Sequence, residues 1–217
     1  MIYSEFFTTV LDFFRQGGVF MIFLVFLSIV SLTVIILRGN ALRYETVLPA
    51  KLQNAITALR PGQDIRSVQT TVKRSNSPLS RIVDVLLAHR RNKRSETLEA
   101  VQTKARHEVA RMETGLVILE IATGVAPLFG LLGTLSGLIG IFSNLSGSGD
   151  PTLVARGIAE ALSTTIVGLG VAAPSLIAYN YFMRKIEVMS VEMESLTADL
   201  LEKIYTKSKS SFEDRED

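Results

Sequence analysis

The sequence predicts an all-α membrane protein with three transmembrane helices, the second and third extended into the cytoplasm. Three observations carry this expectation. Three stretches of the 217 residues are long, apolar and nearly free of charge; Lys and Arg crowd into the segments beside them; and apolar residues in those segments recur at helical spacing. Aliphatic and aromatic types make up 47% of the chain, charged types 20%, and the mean hydropathy is +0.32. With no cysteine in the chain, disulfide scaffolds, thiol catalysis, zinc ribbons and iron–sulfur clusters are excluded. A net charge of +2 gives no sign of a nucleic-acid partner.

The first apolar run, Val19 to Leu37, has nineteen residues. At 1.5 Å each these give about 29 Å, close to the hydrocarbon thickness of a bilayer. A cleaved signal would have a shorter apolar region, a basic start and a small-x-small site, so a retained span is expected. The second run, Gly115 to Phe142, carries Glu120 as its only charge and is long enough to tilt or project from the membrane. The third, Ile158 to Tyr181, has Glu160 near its start and Arg184-Lys185 just beyond its end. The expected division is an outer amphipathic segment (1–18), a first transmembrane helix (19–37), a basic cytoplasmic helical loop (38–112), a second transmembrane helix (113–142), an outer turn (143–154), a third transmembrane helix (155–183) and a cytoplasmic helical tail (184–217).

Basic residues set the orientation. Residues 38–113 hold fifteen Lys and Arg against seven Asp and Glu, and six more Lys and Arg follow Tyr181. The positive-inside rule places both regions in the cytoplasm, N-terminus out and C-terminus in. Leu98, Val101, Ala105, Met112 and Leu116 keep helical spacing into the second span, while Ile186, Met189, Met193, Leu196 and Leu200 continue the third. Two helices running unbroken from membrane to cytosol are therefore expected. Pro61-Gly62 breaks the loop, and Ser77-Pro78 reads as an N-cap and N1 pair opening a helix through Leu87. Phe6, Phe7, Val10, Leu11, Phe13 and Phe14 form an amphipathic stretch suited to the outer membrane surface, or to a simple extension of the first span.

The last two spans carry the candidate site. Gly130, Gly133, Gly137 and Gly140 form a small-residue stripe in the second, and Ala161, Thr165, Gly168, Ala172 and Ser175 alternate spacings of four and three in the third. Such stripes let helices approach closely in lipid, where van der Waals packing drives association. Pro127 and Pro174 stand inside the two helices and shape their geometry. Glu120, Pro127 and Thr134 follow at sevens, lining up a carboxylate with a hydroxyl. The midpoint of 134 and 165 falls near the centre of the intervening turn, so both hydroxyls belong at similar depth. Two uses for them stay open: lining a conduction path, or bonding to helix carbonyls and gluing helices together. Glu160 reads as a functional intramembrane acid or as a cap on the third helix; Glu120 reads likewise, or as the partner of an Arg from the cytoplasmic helices. Between Ile121 and Ala159 the only charges are Asp150 and Arg156, so no carboxylate stands at mid-membrane. Any titrating carrier must come from another polypeptide, and threonine can both donate to and accept from a carboxyl group.

GLLGTLSGLIGIF in the second span and GIAEALSTTIVGLGVAAPSLIAYN in the third resemble the signature regions of the MotA/TolQ/ExbB proton-channel family, closest to its three-span ExbB/TolQ branch. The resemblance is specific over residues 113–184. It implies a homopentameric ring of the second and third spans in a bacterial inner membrane, with the 143–154 turn in the periplasm. The ring would hold two ExbD/TolR-like single-span subunits whose Asp carries the proton, and pass work to a TonB- or TolA-like protein. Carried over by position, Thr134 and Thr165 match the family's pore threonines and Glu160 its motif glutamate; Glu120 falls where the family varies. No cofactor is implied beyond the transported ion, H⁺, and phospholipid is the surrounding partner.

A non-conducting scaffold that uses the small-residue stripes for oligomerisation is the competing expectation. An enzyme is disfavoured: there is no P-loop, and His89 and His107 lie on the basic loop without metal-ligand spacing.

Overall fold

The computed structural model describes residues 18–60, 63–144 and 151–213. Eight helices occur among them and no strand. In chain order they are α1 (Gly18–Ala41), α2 (Tyr44–Val47), α3 (Ala50–Thr57), α4 (Arg66–Arg74), α5 (Pro78–Ala88), α6 (Arg94–Glu113), α7 (Leu116–Asn144) and α8 (Pro151–Glu213). Three of them, α1, α7 and α8, contain stretches long and apolar enough to cross a membrane. Residues 1–17 of the amphipathic segment expected at the N-terminus, the Pro61-Gly62 break and residues 145–150 of the expected turn lie outside the described residues.

The chain divides into two compact units, with α8 contributing to both. The first comprises the described residues up to Leu37 together with Gly115–Tyr181. Its core is thin: Leu24 packs with Ala126, Val171 and Ala172, flanked by Leu27, Phe129 and Val167. The Phe23 ring stacks on Phe129 at a centroid distance of 5.5 Å, and Phe20 lies tilted against the same ring at 6.4 Å. Around this core Ile22, Phe26, Ile29, Leu128, Leu135, Ile139, Ile166 and Ile177 are all exposed. Large apolar side chains on the outside of long uncharged helices are what lipid-facing helices present, and water would penalise them by about 25 cal/mol per Å².

The second unit, Arg38–Thr114 with Phe182–Asp217, is built in the opposite way. Leu48, Leu52, Ile56, Val68, Leu79, Ile82, Leu86, Ile186, Met189, Met193 and Leu200 are fully buried, and charged groups lie outside. Ser77 opens α5 with a reciprocal capping box: its Oγ accepts from the Ser80 N–H, and Ser80 Oγ accepts from the Ser77 N–H. Pro78 sits at the first helical position, where its missing N–H costs nothing. Lys203 Nζ donates to the Ile56 and Thr57 carbonyls, neutralising the C-terminal end of α3. Tyr205 ties α8 to the start of α6 through Thr97 Oγ1 at 2.7 Å.

Two expectations change. The helix leading into the second span is not continuous: α6 ends at Glu113, Thr114 is its C-cap, and Gly115 has φ 84°. That left-handed conformation is open to glycine at little cost, and it satisfies the ordinary helix-stop geometry. Leu98 is 41% exposed rather than buried. The inward stripe of α6 runs instead through Thr97, Val101, Glu108 and Met112.

Glu108 has no solvent exposure at all. Arg81 donates to its Oε2 at 2.6 Å, and Lys104 Nζ lies 2.9 Å from Oε1. Burial pushes this carboxyl up, but hydrogen bonds and charge from Arg81 and Lys104 outweigh it and hold the group below its ordinary value of 4.5. A lowered folded value makes the contribution complete above pH 4.5 and drains it as pH falls through the folded value. Glu108→Ala is expected to cost about 3 kcal/mol at neutral pH by stranding its cations. Thermal unfolding at pH 7 and pH 3.5 checks this: the gap between wild type and variant should narrow in acid.

Candidate functional site at the α7–α8 seam

Helices α7 and α8 run antiparallel and touch backbone to backbone. A methyl group built on Gly168 would stand 2.6 Å from the Ala126 carbonyl oxygen, and one on Gly130 would stand 3.0 Å from both the Thr164 carbonyl and Thr165 Cα. On Gly133 it would meet Thr164 Oγ1 at 2.8 Å, and on Gly137 the Ala161 Cβ at 2.8 Å. The successive partners descend along α8 as they ascend along α7, which fixes the antiparallel register. Gly140 departs from the expected packing stripe: a methyl there meets nothing within 4 Å. Ala172 is buried in the small core beside Leu24.

This closeness brings the two predicted hydroxyls together. Thr134 Oγ1 and Thr165 Oγ1 are 2.5 Å apart. Thr134 also reaches the Gly130 carbonyl at 3.1 Å and the Ala161 carbonyl at 3.2 Å, and Thr165 reaches the Gly130 carbonyl at 3.1 Å. Thr134 is 8% exposed and Thr165 is half-buried. Within one subunit the hydroxyls therefore bond across the seam and to helix carbonyls, the second of the two uses that the spacing left open. Two hydroxyls carry two protons and four lone pairs. After one proton joins the oxygens and the other goes to a carbonyl, acceptor capacity remains, and half-buried Thr165 is where an incoming proton donor could use it.

The two glutamates are not part of this pair. Glu160 belongs to α8 nine residues after its start at Pro151, so it cannot cap the helix; its side chain lies outside the described residues. Glu120 is exposed on α7 and makes no ion pair or side-chain hydrogen bond among the described residues. Fourteen residues separate it from Thr134, about 21 Å along the helix. Pro127 and Pro174 both lie within continuous helices. Each removes an N–H, leaving the carbonyls of Thr123 and Gly170 without their usual helical donor. His89 is half-buried at the end of α5 with Nδ1 2.9 Å from the Val85 carbonyl, and His107 is exposed.

Sequence reading missed Thr164. It is 1% exposed, donates to the Ala161 carbonyl at 2.6 Å and fills the hollow beside Gly133. Its position, three after Ala161 and four before Gly168, was signal enough to place it on the stripe.

Residues 74–195 match the profile of the MotA/TolQ/ExbB proton channel family. A putative biopolymer transport protein ExbB homolog from Methanothermobacter thermautotrophicus is 31% identical over 185 residues, 84% of this chain. The match spans 66% of that protein's own length, just under two thirds. The biopolymer transport protein ExbB of Neisseria meningitidis serogroup A is 28% identical over 84% of this chain and 89% of its own. The Tol-Pal system protein TolQ of Haemophilus influenzae is 40% identical over 86 residues, 39% of this chain and 38% of its own.

The seam makes an asymmetric prediction about its glycines. Gly168→Ala drives a methyl into a backbone carbonyl and should destabilise the protein by about 1–3 kcal/mol. Gly124→Ala meets open space and should be neutral or mildly stabilising, by under about 1 kcal/mol from helix propensity. Thermal unfolding in detergent separates the two.

Proposed function

The chain belongs to the MotA/TolQ/ExbB proton channel family, and we propose that it is an ExbB/TolQ-like stator subunit of an ion-driven motor in a bacterial inner membrane. Copies of the chain form a ring, five in number, with α7 and α8 around a pair of ExbD/TolR-like single-span subunits. Protons cross on the aspartate of those partners, and the resulting motion is passed to a TonB- or TolA-like protein. The second unit lies in the cytoplasm, where its basic residues belong.

The observation that carries this reading is the Thr134–Thr165 pair, half open and set on spans that hold no acid of their own at mid-membrane. A hydroxyl does not titrate near neutral pH, so the pair cannot store the proton itself. It can accept a hydrogen bond from a protonated carboxyl and donate to an ionised one, which suits it to pass a guest's acid through both states. Glu160, five residues or about 7.5 Å along α8 from Thr165, supplies an acid on the approach to the pair. Glu120 supplies a second at the opposite end of the span. Each proton crossing releases about 2.3 kcal/mol per 100 mV, so a few per step suffice for a sizeable rearrangement.

The hydrogen bonds from both threonines to helix carbonyls favour one other reading, a scaffold in which the hydroxyls only hold α7 to α8. Thr165→Val and Thr165→Ser distinguish them. In the motor, the Val variant keeps the native oligomer size in detergent and still captures the single-span partner, while proton flux falls by at least about tenfold, the effect of losing about 1.4 kcal/mol at the rate-limiting step. The Ser variant retains a substantial part of the flux. Wild-type flux in the Val variant, measured in proteoliposomes containing both subunits, would leave the scaffold standing. Gentle extraction that recovers no single-span protein with an intramembrane aspartate would do the same.

A further inference from the structure

A hollow of about 560 Å³ opens on the second unit, where the segment between α3 and α4 meets Arg90, just beyond α5, and the later part of α8. Its base is apolar: Leu59 is buried, and Ile65 and Ile204 are half-buried. Arg60, Gln63, Asp64, Arg90 and Lys203 stand around that base. A concave volume of this size, apolar below with a few convergent polar groups above, is what a small ligand occupies.

Two of its four charges are already neutralised. Asp64 pairs with the Arg66 guanidinium at 3.1 Å and accepts from the Arg66 backbone N–H. Lys203 pairs with Asp199 at 2.6 Å and donates to the Ile56 and Thr57 carbonyls. Arg60 and Arg90, by contrast, meet no carboxylate among the described residues. Arg90 is half-buried with one N–H on the Leu87 carbonyl at 2.9 Å, which leaves most of its planar fork of donors unused. A cation drawn partly out of water without a counter-charge favours an anion from outside. Gln63 Oε1 accepts from the Arg60 backbone N–H at 3.0 Å, so its amide NH₂ remains as a further donor.

We propose that this hollow binds a small organic phosphate monoester. Arg60 and Arg90 hold the phosphate, and Leu59, Ile65 and Ile204 seat the apolar body of the molecule. A phosphate monoester carries about −1.5 to −2 charges near neutral pH, which balances the two unmatched guanidinia. Its oxygens also accept the paired parallel bonds that a guanidinium offers. A carboxylate supplies a single charge and leaves one arginine unmatched. Bound there, the ligand joins the α3–α4 segment to Arg90 and α8, so binding stabilises the second unit by mass action. The site lies apart from the Thr134–Thr165 pair and does not rest on the motor reading.

Calorimetric titration and thermal unfolding of the full chain in detergent test this, with phenyl phosphate, inorganic phosphate and phenyl sulfate as probes. Phenyl phosphate should bind about tenfold tighter than inorganic phosphate, because its ring covers the apolar base. Phenyl sulfate, with one charge, should bind about fivefold weaker than phenyl phosphate. The Arg60 side chain is exposed and makes no hydrogen bond among the described residues, so Arg60→Ala should unfold like wild type without ligand. With ligand it should weaken phenyl phosphate about fivefold. Arg90→Ala should weaken it at least about tenfold, and Arg90→Lys, which keeps the charge but not the fork, should fall between. Absence of saturable binding up to about 10 mM phenyl phosphate overturns the assignment. Wild-type affinity in both alanine variants, or equal affinity for phenyl sulfate, does the same. Nanodiscs with and without phosphatidic acid distinguish a free phosphate from a lipid headgroup. Unchanged affinity supports the soluble ligand, and competition by the lipid overturns it.

Discussion

Backbone contact between α7 and α8 is the constraint on which the membrane portion depends. In lipid no hydrophobic force draws apolar helices together, so they associate where their surfaces fit most closely. Gly130, Gly133 and Gly168 remove the side chains that would hold the two helices apart. The seam then places Thr134 and Thr165 within hydrogen-bond distance, a result that neither residue achieves by itself. Packing and chemistry are therefore one problem here: a change that widens the seam also separates the hydroxyls.

The two units handle charge in opposite ways, and each follows from its surroundings. The first has almost none between Ile121 and Ala159, because an unpaired charge in hydrocarbon is expensive. The second, rich in Lys and Arg, buries one carboxylate completely. Glu108 persists there because Arg81 and Lys104 reach it from two sides, and that cluster joins α5 to α6. Glu120 fits neither pattern. It is exposed on α7 between Val117 and Ile121 and makes no ion pair among the described residues, a polar group left near the end of an apolar span.

Much of this was legible in the residues. Uncharged length revealed the three apolar helices, since few other sequences keep charge out for so long. Ser77-Pro78 announced a helix start because its chemistry is local, and the structure places the end of that helix one residue beyond the expected Leu87. The small-residue spacings identified the seam, and the shared depth of Thr134 and Thr165 followed from counting to the turn. What failed was inference from apolar residues alone in α6. Apolar spacing picks out Leu98 because it is a leucine and passes over Glu108, seven residues after Val101 and four before Met112, because it is charged. Position on the stripe outranks polarity when cations stand ready to pair. The break at Gly115 was missed because periodicity carries on across a single residue even where the backbone does not. Whether the hydroxyls face one another or a pore was beyond spacing, because both arrangements use the same face of the helix.

The aromatic cluster at Phe20, Phe23 and Phe129 has a mechanical consequence. Glycine-to-backbone contact has no rotamers to exchange, so any shift of α7 along α8 must carry backbone past backbone. Stacked and tilted rings hold α1 to that pair by area and dispersion, which change gradually as one surface slides over another. The first helix is thus mounted on a slip plane, and compliance in the membrane portion belongs at that greased joint, away from the hairpin that carries the threonines.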